Sequence, residues 1–268
     1  MNCLNTVGSG ICINGYVPPV TIGGNGTYTR TPTGTTFTSG ITYIYAFTGG
    51  SNTFISNFAI ANMYVIVVGA GGGGAYSEGS TGNSHGGGGA GGGSGALRMA
   101  YTANATFNIV VPTQTSANAN GGESTFKNSD NTRGVKSTGG RGGNTDNISA
   151  KAGESFNTFT THISFISQTG GNGGSGGNGG NSGSTTNSLI TVAGTSYKYG
   201  GGGKSGDFLA GGRAGSNGIG ATERNGTNNF GENASSPGSG GGGGSDNNFV
   251  NTNSLGSRGE VLIIFNYP

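Results

Sequence analysis

The chain has 268 residues, of which 63 are glycine; 8% are charged and 30% hydrophobic, and the net charge is +2. Ordinary domains are about 25% charged and about 45–50% apolar, so a conventional oily core is not expected to hold most of this chain. Collagen needs strict Gly-X-Y with abundant proline and is excluded by a count of six prolines; the small charge gives no argument for nucleic acid or an anionic membrane.

Residues 1–40 are rich in Thr, Gly and Pro, with a short apolar piece at 11–17 before Pro18 and Pro19. They are expected to form a separate N-terminal attachment segment. The first residues lack the basic and apolar regions of a signal peptide, which disfavours secretion through the ER. No apolar run approaches the roughly 18 residues of a membrane span, so membrane insertion is not expected. Cys3 and Cys12 either pair with each other or stay reduced, and two cysteines alone do not decide between these.

Residues 41–47 read as a β-branched and aromatic strand, followed by a turn at Gly49 and Gly50, and 53–58 read as a second strand. Residues 63–68 give the strongest strand signal, apolar on both faces as a buried strand should be. They run directly into the glycines that begin at Gly69. Residues 96–101 and 106–111 form a further strand pair. From 112 to 257 glycine runs alternate with polar segments rich in Asn, Ser and Thr. Inside that region only 156–166 and 188–199 look strand-like. Phe156, Phe159, Ile163 and Ile166 also fit one helix face, so 156–166 stays open. Residues 259–265 close the chain as a strand expected to pair with the early ones.

The glycine-rich middle has its own period. Residues 170–180 repeat two glycines and one small polar residue. A period of three fits neither an α-helix nor a half-buried strand. It suits polyproline II geometry, which has three residues per turn and no internal hydrogen bonds. The N–H and C=O groups of such a rod point outward and need partners, and glycine lets a second rod approach closely enough to supply them. The expectation is a bundle of polyglycine II rods, drawn from 71–74, 86–95, 139–143, 170–180, 200–203, 211–215 and 240–244. Asn172, Ser175 and Asn178 are expected on one wet edge. The predicted fold is mostly β and irregular: a small antiparallel sheet plus the rod bundle, with almost no α-helix. The predicted division is 1–40 and 41–268.

Tyr45-Ala46-Phe47-Thr48-Gly49-Gly50, the strand and glycines of 64–74, Thr106-Phe107-Asn108-Ile109-Val110-Val111, Gly121-Gly122-Glu123-Ser124-Thr125-Phe126 and the closing run from Gly259 to Pro268 resemble the glycine-rich domain of phage and viral surface proteins. The resemblance covers roughly 41–268, and its best-known bearers are the distal tail-fibre adhesins of T-even-like phages. It implies a virion surface protein, with receptor-binding loops carried between polyglycine II rods. The implied partners are a host surface glycan or protein and, through the N-terminal segment, other virion fibre or capsid proteins. A capsid or head-fibre structural protein is the alternative. The loops are expected near 75–85, 114–138, 144–169, 181–199, 217–239 and 245–257.

Other motifs lead nowhere chemical. Gly69-Ala70-Gly71-Gly72-Gly73-Gly74 after a strand matches a dinucleotide fingerprint, but no helical pattern follows to face a pyrophosphate. The run from Gly91 to Gly95 stands where the ribose acid belongs. Gly203-Lys204-Ser205 mimics the end of a phosphate-binding loop, with Lys198 where that motif requires glycine. His85 and His162 lack metal-ligand spacing. The ten acids are scattered, without the carboxylate pair that glycan hydrolysis needs. No enzyme activity, cofactor or metal is expected.

The receptor-binding candidates are the residues of the polar connectors that offer flat area at low entropy cost. They are Tyr76, Phe156, Phe159, Tyr197, Tyr199, Phe208, Phe230 and Phe249, with His85 beside them. The competing reading is that these rings cap the rod bundle as small cores.

Overall fold

The structure is a computed structural model that describes residues 3–4, 11–12, 18–75, 86–143, 150–175, 190–192, 194–206, 211–217, 224–225, 231–244 and 254–268. Among these the regular elements are all strands. β1 (Cys3–Leu4) and β2 (Ile11–Cys12) form a small antiparallel pair. There follow β3 (Val20–Gly24), β4 (Thr27–Thr31), β5 (Thr42–Ser56), β6 (Ile60–Val68), β7 (Ser94–Tyr101), β8 (Thr106–Val111), β9 (Ser124–Asn128), β10 (Gly134–Ser137), β11 (Ser155–Asn157) and β12 (Ser164–Gln168). β13 (Ile190–Val192) pairs with β14 (Thr195–Tyr197), and β15 (Gly211–Gly212) with β16 (Arg224–Asn225); β17 (Glu260–Asn266) ends the series.

The sheet is larger than its sequence promised. Eleven strands join in one antiparallel sheet, folded into two layers by the long, bent β5. The first half of β5 pairs with β4 and β17, the second half with β3 and β8. One layer runs β4-β5-β17-β6-β7-β12 and the other β3-β5-β8-β9-β10-β11. β11 and β12, the two far edges, come side by side, so the sheet nearly closes as a barrel. The Gly49-Gly50 turn expected from the sequence is the bend itself. Gly50 takes φ +75°, and a Cβ there would stand 2.8 Å from the Gly26 Cα. A residue with no Cβ lets the strand turn the corner without breaking.

Strand periodicity explains the core. Tyr43, Tyr45, Phe47 and Phe54 of β5, Met63, Val65 and Val67 of β6, and Val261, Ile263 and Phe265 of β17 alternate inward between the layers. Tyr45 and Phe265 stack at 6.1 Å, and Phe107 and Phe126 at 4.5 Å. Ile66, Val68, Leu262 and Ile264 point to the opposite face, where Tyr199 covers them. β6 is therefore buried on both faces, as its unbroken apolar run required.

Residues 18–40 are part of this sheet rather than a detached arm. β3 and β4 pair with β5. The Arg30 guanidinium lies over the rings of Phe37 and Tyr43 and donates to the carbonyls of Gly34 and Thr36. No structural break therefore coincides with residue 40. The open segment 156–166 resolves as β11, a corner holding Phe159, and β12, with no helix.

Beyond the sheet the strands become rods. Residues 69–75 continue β6, 138–143 continue β10, and 170–174 follow β12. Residues 86–93 lead into β7, 118–122 into β9, 150–154 into β11 and 254–259 into β17. Their amides change partner with a period of three. Gly69, Gly72 and Ala75 donate to Gly93, Ala90 and Gly87; Ala70 and Gly73 donate to Gly122 and Ala119; Gly71 and Gly74 donate to Ser257 and Ser254. Rotation by a third of a turn per residue is the signature of a threefold helix.

The rod 86–93 is bonded to six segments. It donates to 238–244, 171–174 and 138–141, and accepts from 69–75, 203–206 and Gly153. A Cβ on Gly72, Gly89 or Gly240 would sit 2.0 Å from a neighbouring carbonyl oxygen. Missing side chains, not oily ones, permit this packing.

Buried serines mark the changeover from strand to rod. Ser94, Ser124, Ser137 and Ser155 stand at strand ends beside the rods. Ser124 Oγ donates to the Val68 carbonyl at 2.5 Å and Ser137 Oγ to the Val67 carbonyl at 2.8 Å. A serine reaches the backbone of the opposite layer only where the layers pinch well below the roughly 10 Å spacing of packed sheets.

Candidate recognition end of the rod bundle

The rods have two ends, and hydrogen bonds fix which residues share each. Next to the sheet, Gly69 donates to Gly93, Gly92 to Gly238, Gly93 to Thr138, Thr138 to Glu154 and Gly170 to Gly153. At the far end, Ala75 donates to Gly87, Gly244 to Ala75, Gly86 to Gly244, Gly206 to Gly86, Gly143 to Gly73 and Gly74 to Ser254. Gly212 donates to Gly243, and Gly211 pairs with Asn225. Chain connections 76–85, 144–149, 207–210, 226–230 and 245–253 therefore leave and rejoin the described bundle at its far end, and 176–189 leaves from it.

This topology divides the ring candidates. Tyr76, His85, Phe208, Phe230 and Phe249 belong to the far-end connections and lie outside the described residues, as does Asn178 of the expected wet edge. The other four stand at the sheet, at the opposite end of the rods. Phe159 is buried against Phe107 and Phe126, with ring centroids at 6.0 and 6.1 Å. Tyr199 is buried on the second face of the sheet, and half-buried Tyr197 packs there with it. Phe159 thus belongs to the main core of the sheet and Tyr199 to its second face, with Tyr197 partly covered beside it. Phe156 alone is open, 48% exposed on β11. The segments 114–138 and 144–169, expected as loops, consist largely of β9 to β12 and of rods; only 144–149 remains a far-end connection.

The wet edge is half right. Gly170 and Gly173 donate to Gly153 and Ala150, and Gly171 and Gly174 to Gly200 and Gly203. That leaves the third edge to Asn172, which is exposed and accepts from the Ala152 amide at 3.1 Å. Ser175, on the same edge, is buried.

One buried charge cluster sits where the sheet meets the rods. Tyr199 donates its hydroxyl to Glu260 Oε2 at 3.1 Å, and Arg258 Nη2 lies 3.5 Å from Glu260 Oε1. Burial pushes the Glu260 carboxyl above the usual carboxylate range, against the opposing pull of Arg258 and the tyrosine hydrogen bond. Burial also raises the Tyr199 hydroxyl well above its ordinary value. The cluster closes β17 against the 190–199 hairpin.

Both phosphate-loop mimics have amides already engaged in the rod lattice. Gly69 to Gly74 spend theirs on neighbouring rods, and Gly203 and Lys204 donate to Gly89 and Arg213. Among the described residues no group of three His, Cys, Asp or Glu is placed to hold a metal ion.

The profile of a glycine-rich domain matches residues 46–266. The chain belongs to the glycine-rich domain family. No curated protein matches the sequence. The matched span of the glycine-rich domain runs from within β5 to the last residue of β17, so it takes in the rods together with the strands that open and close them.

One feature of the far end escaped the sequence reading. Its connections carry Glu78, Asp146, Asp207 and Asp246 and no Lys or Arg. The residues were visible, but only the rod directions show that they belong to one end.

Proposed function

We propose that this glycine-rich domain is a virion surface protein acting as a fibre-tip adhesin, which recognises a host surface glycan or protein through the connections at the far end of its rods. The observation that carries this reading is the topology. Six chain connections join the bundle at the end opposite the sheet, and recognition loops held by a rigid scaffold are a recurrent arrangement. The rods fix the loop bases through backbone bonds that do not depend on loop sequence, so the loops can vary without altering the fold. Tyr76, Phe208, Phe230 and Phe249 supply flat contact area. The four acids, unaccompanied by Lys or Arg, disfavour a polyanionic partner such as nucleic acid. The sheet end, with β3 and β4, and the N-terminal segment that precedes them are the side available for mounting on other virion proteins.

The alternative is a capsid or head-fibre decoration protein. It draws on Phe156, Ile163 and Ile166, exposed on and beside the edge strands β11 and β12, which suit a neighbouring protein. Alanine blocks across each far-end connection, scored for host-cell adsorption and for incorporation into particles, separate the two. The adhesin reading expects adsorption to fall with incorporation intact. Unchanged adsorption across the whole series overturns it.

A further inference from the structure

The two cysteines of the chain stand opposite each other in its first strand pair. β1 and β2 are antiparallel, and their register sets Cys3 against Cys12 and Leu4 against Ile11. The chain has no third cysteine. Directly opposed residues in an antiparallel pair have Cα atoms about 5.5 Å apart at hydrogen-bonded positions and about 4.5 Å apart at the others. A disulfide bridges Cα separations of about 4.4–6.8 Å, so either kind of position lies inside its span.

We propose that Cys3 and Cys12 form an intramolecular disulfide that closes the N-terminal hairpin. Composition left the pairing undecided; the backbone register makes these two cysteines one site. The pair also has a physical reason to be covalent. β1 and β2 form a sheet of their own, separate from the eleven-stranded one. An isolated two-stranded hairpin is marginal in water, and a cross-link that restricts the open chain favours the paired state.

The oxidant is a low-molecular-weight disulfide, RSSR. One cysteine thiolate attacks RSSR, forming a protein–SR mixed disulfide and releasing RS⁻. The second thiolate attacks the protein sulfur of that mixed disulfide and displaces the second RS⁻. Two protein thiols are thus oxidised to one disulfide, and RSSR is reduced to two RSH after the released thiolates take up the two thiol protons. With no third cysteine, the ring has no intramolecular competitor.

The test uses the full chain. The reduced protein is equilibrated with oxidised and reduced glutathione, quenched with iodoacetamide and weighed intact, first under native conditions and then in guanidinium. The expected species is the protein less two hydrogens, with neither cysteine alkylated. A thermolysin digest should give a Cys3–Cys12 linked peptide that separates on reduction. The Cys3→Ser variant should instead stop at a glutathione adduct on Cys12. The equilibrium constant for ring closure should be at least about tenfold higher under native conditions than in guanidinium, since the paired strands hold the cysteines in register. Equal constants in the two solvents, two alkylated thiols, or disulfide-linked dimers in place of the ring would each overturn the proposal.

Discussion

Replacing Gly242 with alanine probes the rod lattice with one methyl group. Gly242 is absent from the residues with positive φ, so alanine meets no backbone strain there and the effect is steric. Its Cβ would stand 1.8 Å from the Gly212 carbonyl oxygen and 2.5 Å from the Gly212 carbonyl carbon, where ordinary contact begins at 3.4 Å. The rod at 211–215 would have to retreat by about 1.6 Å, the difference between those two distances. That rod is held by Gly212 donating to Gly243 at 2.7 Å and Gly215 to Gly240 at 3.0 Å, and Glu232 donates to Gly212 at 3.0 Å. Overpacking costs about 1–3 kcal/mol, and each buried group left unpaired costs about 1–3 kcal/mol. With one such group the sum is about 2–6 kcal/mol, a large share of the roughly 5–15 kcal/mol that holds a domain together. The entropy alanine removes from the unfolded chain returns only about 0.4–1 kcal/mol. At about 2–4 °C per kcal/mol for a chain of this size, the net loss of about 1–5.6 kcal/mol should lower Tm by about 2–22 °C by calorimetry. Asn172→Ser, on the exposed edge, should change Tm by no more than a few degrees. The lattice does admit buried methyl groups at Ala70, Ala75 and Ala90, so the prediction is specific to sites whose Cβ meets a carbonyl. Equal melting of the two variants would refute the steric reasoning.

Four further substitutions test other parts of the account. Glu260→Gln removes a carboxyl whose folded-state pKa is raised by burial. A raised acid favours folding below its unfolded pKa and loses that advantage as pH climbs through the folded value. Thermal melts from pH 4 to pH 8 should therefore show the Gln variant gaining on the wild type as pH rises; the opposite slope would mean that Arg258 outweighs burial. Gly50→Ala should cost about 1–3 kcal/mol in urea melts, from positive φ and the close Gly26 backbone, and no loss would contradict the bend in β5. Phe159→Ala should lose about 3–5 kcal/mol while folded particles still adsorb. Phe249→Ala should keep its Tm and lose adsorption, and a reversal of these two phenotypes would place recognition at the sheet.

What the sequence made legible was periodicity. The apolar run of β6, the closing strand β17 and the threefold repeat at 170–174 each carry their geometry in residue spacing, and each folds accordingly. Where geometry depends on tertiary partners, the reading failed. Gly49 and Gly50 resemble a hairpin turn, yet β3, β4, β8 and β17 hold both sides of β5 together across the bend. β9 and β10 read as loop because they are short, with serines at positions that face the pinched layer gap. β3 and β4 are five residues each and lie among Thr, Gly and Pro, so the apolar pair Val20 and Ile22 is too short a signal to announce a sheet. Phe159 and Tyr199 have polar neighbours in sequence, so nothing local distinguishes a ring in a core from a ring in a loop. The far end could not be recognised at all until rod directions were known, because its connections are scattered along the chain from residue 76 to residue 253.

Amide hydrogen exchange of the glycine runs tests most directly whether main chains alone hold this bundle together. Rods bonded on all sides predict that residues 86–93 and 238–244 exchange as slowly as β6 and β17, with Asn172 faster than Gly171 and Gly173 on either side of it. Exchange of 86–93 and 238–244 at the rate of solvated coil, while β6 and β17 stay protected, would contradict the rods outright.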